Sequence, residues 1–212
     1  MSFAIATQKR RSIRALQPIS PVPDRNIIDL ASNALLYVPS AFNSQTTRLT
    51  IHFSEAHRKL WSITGAALET NLGSERYKSS GSADKINAYS KGYGTILFWD
   101  DIEVLEQMKK GAADHYKDKA EEWVHQSNGM HQYYLWVALE EHGLGVNVQH
   151  YNPLIDEGVR KEWGISGSWK LRAQMVFGLP EKGTLVGEKE QKVAIEERLK
   201  VFHIDGEEEG KL

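Results

Sequence analysis

His142–Pro153 reads HGLGVNVQHYNP, and this short run holds a helix stop, a strand and a helix start in succession. Gly143 and Gly145 close a long apolar-periodic segment, because glycine enters at little cost the left-handed conformation in which helices commonly end. Val146–Gln149 alternates apolar and polar residues as a strand does, and Pro153 is suited to the first position of a following helix. Upstream, Ala112–His142 keeps one helical pattern, with Trp123, Met130, Tyr134, Leu135, Val137, Ala138 and Leu139 on the face predicted to be buried. Downstream, LRAQMVFGLP (Leu171–Pro180) reads as a strand that ends at Gly178 and Pro180.

The same alternation runs back to the amino terminus. Gly94–Trp99 is a continuous apolar run closed by Asp100 and Asp101, the mark of a strand buried on both faces. Arg48–Phe53 alternates as a strand, and EAHRKLWSITGAAL (Glu55–Leu68) has helical spacing. Asp24 is positioned to cap a helix carrying Ile27, Ala31, Ala34 and Val38, which Pro39 stops; an earlier mixed segment ends before Pro18. Gly73–Ser82, rich in Ser and Gly, reads as a mobile loop. Helices and strands in alternation place the chain in the α/β or α+β class.

Composition narrows the function. A chain of 212 residues suits one domain, and a net charge of −2 offers no basic field for nucleic acid or an anionic membrane surface. There is no cysteine, so disulfides, thiolate nucleophiles and thiolate zinc sites are excluded. The first twenty residues lack a signal-peptide core, and no uncharged apolar run approaches the roughly 18 residues that span a bilayer. The expectation is a soluble, cytoplasmic protein that binds neither membrane nor nucleic acid. The sequence has no GxGxxG, HExxH or GxSxG pattern, and His125 and His131 do not share a helix face. No metal site is expected.

Two segments remain as candidates for chemistry. KRRSIR, Lys9–Arg14, gathers Arg10, Arg11 and Arg14 around Ser12, and guanidinium groups form forked, charge-assisted bonds to phosphate. A solvated basic turn would look the same. VPSAFNSQ, Val38–Gln45, contains no acid, base or thiol, but Asn43 and Gln45 each offer a donor and an acceptor while Ser40 and Ala41 leave room for a flat ring. An ordinary Ser/Asn turn after a helix is the plain alternative.

In order along the chain, RRSIRAL, VPSAFNSQ, HGLGVNVQHYNP and a late FGLP resemble the FMN-dependent nitroreductase family. AFNSQ, AHRKLW, GYGTILFWDD and QHYNP resemble its fungal-type subgroup, which also has bacterial members. The resemblance implies a single α+β domain, a mixed sheet wrapped by helices, built as an intertwined homodimer with FMN at the interface. It implies that Arg10, Ser12 and Arg14 contact the FMN phosphate, ribityl chain and pyrimidine edge, with Arg11 among the cofactor-binding residues as a neighbour whose side chain can point away. Pro39, Ser40 and Ala41 would flank the ring from the partner subunit, with Asn43 and Gln45 adding polar contacts. Val148, Gln149 and His150 match the segment running past the ring. Lys85 stands near the pyrimidine edge, and Lys189 stands where the family carries a basic pair on the phosphate; here Glu190 and Gln191 follow it. The tail from about 185 to 212, with Val193, Ile195, Leu199, Val201 and Phe202, would pack at the dimer interface.

The implied reaction is ping-pong hydride transfer from NADH or NADPH, through FMN, to a nitroaromatic, quinone or related acceptor. The cofactor carries the difficult chemistry, which accounts for the lack of a catalytic acid, base or nucleophile in the motif search. A flavin-binding regulatory protein with incidental turnover is the alternative within the resemblance, and a non-flavin binding module is the alternative outside it.

Overall fold

The structure is a computed structural model that describes residues 3–184, 187 and 189–202. Its elements run α1 (Phe3–Lys9), β1 (Leu16–Gln17), α2 (Asp24–Tyr37), β2 (Thr47–Phe53), α3 (Ser54–Leu72), α4 (Ser74–Ser79), α5 (Ser82–Ser90), β3 (Gly94–Asp101), α6 (Ile102–Gly111), α7 (Asp114–Lys117), α8 (Ala120–Glu141), β4 (Gly145–Gln149), α9 (Asp156–Trp163), β5 (Trp169–Pro180) and α10 (Ile195–Arg198). Among the described residues no helix is long and apolar enough to cross a membrane.

The apolar run at Gly94 forms the central strand β3, every residue of which is buried. It pairs antiparallel with β2 on one side and β5 on the other, and β5 also pairs antiparallel with β4 and, at its carboxyl end, with β1. The sheet is mixed only through a single parallel bridge, Ser12 to Val146. One face buries Ile96, Phe98, Ala173, Met175 and Phe177 against Ile27, Ala31 and Ala34 of α2 and Leu135 and Leu139 of α8. On the other face, Leu97, Trp99 and Leu171 meet Leu60 and Val159, and Val176 meets Trp61 and Ile86. Ala173 and Leu171 would share a face by simple alternation. They do not, because the register shifts between Phe98 and Trp99 so that Arg172 is the extra residue of a bulge. Arg172 Nε then donates to the buried Asp100 carboxylate at 2.6 Å.

Several boundaries differ from the sequence reading. Asp24 does not cap α2; Pro23 holds that position, and Asp24 Oδ1 accepts from the Tyr93 hydroxyl at 2.5 Å. Gly73–Ser82 is not a loop but α4 and the start of α5, because Tyr77 packs onto the Ile13–Trp61 cluster and supplies the burial that local propensity lacks. Ala112–His142 is not one helix. Ala112 and Ala113 are extended, so the chain breaks between α6 and α7 before α8 begins at Ala120. Gly143, at φ 82, ends α8 as expected. Pro153 lies in the turn before α9, its carbonyl accepting from Asp156 N at 3.1 Å.

Two buried histidines make the fold acid-sensitive. His57 places Nδ1 2.8 Å from Thr95 Oγ1 and Nε2 3.1 Å from the Tyr89 carbonyl, and His52 stacks edge-on against Trp163. Desolvation by burial lowers both pKa values from 6.5 to about 4. The unfolded chain therefore binds more protons between those limits, and the stability from keeping the rings neutral, complete above pH 6.5, is lost as pH falls toward 4. At pH 5 the two together are expected to cost roughly 4 kcal/mol relative to pH 7.5. Denaturant titrations at the two pH values check this, and His52→Asn should remove about half of the difference.

Candidate functional site

The basic motif is held by strand pairing. α1 closes with Arg10 N donating to Ala6 O at 2.9 Å, after which the chain runs beside β4. Ile13 N donates to Val146 O at 2.9 Å, and Asn147 Nδ2 returns a bond to Ile13 O at 2.7 Å. Gly145 permits this approach: a Cβ there would lie 2.8 Å from Leu16 Cδ2 and 2.9 Å from Ile13 Cγ2. Its requirement is steric, whereas Gly143 alone supplies the helix stop.

The cations of the motif divide by role. Arg11 folds its guanidinium back onto the Gln8, Lys9, Arg10 and Gly187 carbonyls, and its N–H donates to Glu140 Oε1 at 3.1 Å. It shapes the turn, as a neighbour of the contacting residues whose side chain points away from them. Arg10 lies over the Trp136 ring at 4.5 Å. Ser12 and Arg14 are exposed, and Arg14 has no hydrogen bond or ion pair among the described residues. Lys189 Nζ donates to Thr7 O at 3.0 Å, which brings the tail to the same end of the molecule. Its pKa is lowered by desolvation and then by the Arg10 and Arg11 charges, with Glu140 opposing. Burial raises the Glu140 pKa, against the pull of the Arg11 N–H and the Trp136 indole. The result is an edge with surplus positive charge, as a bound anion requires.

β4 and α5 complete this edge. Val148 and Gln149 are half-buried opposite Met175 and Gln174 of β5, with Gln149 Nε2 donating to Asn147 Oδ1 at 2.8 Å, and His150 is exposed just beyond the strand. Lys85 is exposed on α5, next to Ile86, which packs with Ile13 and Leu16. Arg10, Ser12, Arg14, Lys85, Val148, Gln149, His150 and Lys189 thus come from segments packed on one another.

The amide loop lies elsewhere. Val38 is extended before Pro39, and Ala41–Asn43 makes a single 3-10 turn with Ser40 ahead of it. Phe42, Asn43 and Gln45 all lie in the left-handed region, at φ 55, 51 and 49. This conformation costs a non-glycine residue on the order of 1–2 kcal/mol, less for Asn. The surrounding bonds fix it: Ser40 Oγ accepts from Gln45 N at 2.9 Å, Gln45 Nε2 donates to Asn43 Oδ1 at 3.2 Å, and Ser127 Oγ of α8 accepts from Ala41 N at 3.2 Å. Phe42 is thereby turned out to 77 % exposure, 5.5 Å from the Trp123 ring. With Ser44, and with Val104, Met108 and Gly111 of α6, it lines a cleft of about 370 Å³. Sequence reasoning passed over Phe42. Its signal was a lone aromatic in a loop of small polar residues.

The Pro39–Gln45 loop touches α8 at Ser127, whereas Arg10 and Arg11 touch it at Trp136 and Glu140. At 1.5 Å rise per residue, the nine positions from Ser127 to Trp136 and the thirteen to Glu140 put these contacts about 14 and 20 Å from the loop's. The structure does not bring the two motifs together within one chain.

The nitroreductase family model matches residues 7–179. HBN1 of Saccharomyces cerevisiae, provisionally described as a nitroreductase, is 34% identical over 173 residues, covering 81% of this chain and 84% of the relative. The nitroreductase FRM2 of the same yeast is 28% identical over 207 residues, covering 95% and 97%. The nitroreductase CinD from Lactococcus lactis, solved in complex with chloramphenicol, is 38% identical with a TM-score of 0.83 over 95% of this chain and 100% of that one.

Proposed function

The chain belongs to the nitroreductase family, and from that premise we propose that it is a homodimeric, FMN-dependent NAD(P)H oxidoreductase whose two sites are each built from both copies. The residues fit the cofactor. Arg10, Arg14 and Lys189 are cations without a matching set of carboxylates, and guanidinium and ammonium groups beside exposed Ser12 suit a phosphate and its polyol chain. Bound FMN would supply the two-electron chemistry, taking hydride from NADH or NADPH and passing it to a nitroaromatic, quinone or related acceptor in ping-pong order.

The chain's own residues bind, orient and shield. Arg10 and Lys189 hold the phosphate, and Arg14 and Lys85 place positive charge by the pyrimidine edge. Val148 and Gln149 lie along the ring, with His150 at the end of that segment. From the other copy, Pro39, Ser40 and Ala41 form a wall, with the Asn43 and Gln45 amides at its polar margin. The apolar cleft under Phe42 admits a flat acceptor, and protons come from water.

One observation carries the two-copy reading: the basic motif and the amide loop of a single chain contact α8 about 14–20 Å apart along its axis. The outer faces of α2 and α8 support it, leaving Leu36 at 71% and Tyr37 at 76% exposure on α2 and Met130 and Tyr133 exposed on α8. Apolar area of that kind marks an interface. Val193, Ile195, Leu199, Val201 and Phe202 of the tail are likewise exposed and would pack on the partner, while residues 185, 186, 188 and 203–212 lie outside the described residues. A cysteine-free chain suits the cytoplasm.

The test combines light scattering with flavin titration and turnover. A dimer that binds one FMN per chain and oxidises NADH or NADPH with an aromatic acceptor is expected. A monomer with bound FMN, or a folded protein that neither binds FMN nor turns over, contradicts the reading.

A further inference from the structure

The left-handed loop is fastened at its far end by a residue that no motif singles out. Arg48, at the start of β2, donates from Nη1 to Gln45 O at 2.5 Å and to Thr47 O at 3.2 Å, and from Nη2 to Asp101 Oδ2 at 3.1 Å. Asp101, 9% exposed, also caps α6 by accepting from Glu103 N at 3.1 Å, and its own N–H donates to Thr46 O at 3.0 Å. A single guanidinium therefore joins the last left-handed residue of the loop to the cap of the helix that forms the opposite wall of the cleft.

We propose that Arg48 is a positioning residue: it locks Pro39–Gln45 in the conformation that meets the flavin and sets the spacing between Phe42 and α6. This inference rests on the flavin reading above. Gln45 sits at φ 49, and its side chain orients the Asn43 amide at 3.2 Å. Freed of the bond to its carbonyl, Gln45 relaxes toward the commoner right-handed or extended regions and the amide pair is misplaced. Lysine keeps the charge but lacks the planar fork that reaches a carbonyl and a carboxylate together. If Arg48 served stability alone, by pairing with Asp101 at the β2–β3 end, its loss would lower the melting temperature and leave the flavin untouched.

The experiment is FMN titration of the full-length protein and its Arg48→Gln and Arg48→Lys variants, with melting temperatures measured alongside. Arg48→Gln is expected to raise the FMN dissociation constant about tenfold, and Arg48→Lys about threefold or more. In an Asn43→Ala background the Arg48→Gln effect should shrink to roughly threefold or less, because both changes act through one loop. Affinity within twofold of wild type in either folded variant overturns the proposal, as do fully additive effects in the double variant. If Arg48→Gln does not fold, Arg48→Lys decides. Wild-type protein that binds no FMN would overturn the flavin reading first and this inference with it.

Discussion

Replacing Arg10 and Arg14 together by Ala is expected to strip the protein of flavin, raising the FMN dissociation constant about a hundredfold or more. Hydrogen bonds to charged groups are worth roughly 1.5–3 kcal/mol each, and about 1.4 kcal/mol is a factor of ten. The fold should survive. Arg14 is exposed and unpartnered among the described residues, and the Arg10 guanidinium lies over the face of Trp136, worth on the order of 1 kcal/mol, within the field of Glu140. Arg11→Ala is expected to behave differently. Its guanidinium holds four backbone carbonyls, so its loss loosens the turn and lowers the melting temperature more than it weakens a direct phosphate contact. The visible spectrum of each purified variant and a fluorescence titration with FMN give the measurement. A folded Arg10→Ala/Arg14→Ala protein with wild-type flavin content would remove the basic motif from the site.

The strands were legible because their burial is written locally. A continuous apolar run made β3 unmistakable, and alternation gave β2 and β4. Elements whose stability comes from partners were not. α4 and α5 carry small polar residues and form because Tyr77, Ile86 and Tyr89 reach the core around Trp61. Lys109, Lys110 and Gly111 mark the end of α6, but the turn at Asp118 and Lys119 that separates α7 from α8 holds neither Gly nor Pro, so no composition signal marks that break. At the site, residue types disclosed the cations and amides but not their directions. Arg11 and Arg10 look equivalent in KRRSIR; the fold turns one inward onto carbonyls and leaves the other over an indole. Arg48 looked like one alternating position of a strand, and Phe42 like filler. Both acquire a role only from three left-handed residues, a conformation that Asn favours modestly and that Phe and Gln do not announce.

Asn43→Ala/Gln45→Ala is expected to weaken flavin binding on its own, although the loop contacts α8 about 14–20 Å along its axis from the basic motif of the same chain. Each amide loses contacts to the ring margin, and Gln45→Ala also removes the bond that orients Asn43. Such distant changes are expected to empty the same site because, in the proposed dimer, it is built from the basic edge of one chain and the amide loop of the other.

Mixed dimers test this most directly. One chain carries Arg10→Ala/Arg14→Ala, the other Asn43→Ala/Gln45→Ala, and the two are co-expressed with different affinity tags so that the heterodimer can be purified. Each homodimer alone should hold little flavin at micromolar FMN. In the heterodimer one site combines both defects, while the other combines the intact basic edge of one chain with the intact loop of its partner. The account predicts one tightly held FMN per heterodimer and about half of the wild-type turnover. A heterodimer as empty as the two parent variants would mean that each chain builds its site alone, and would contradict the account.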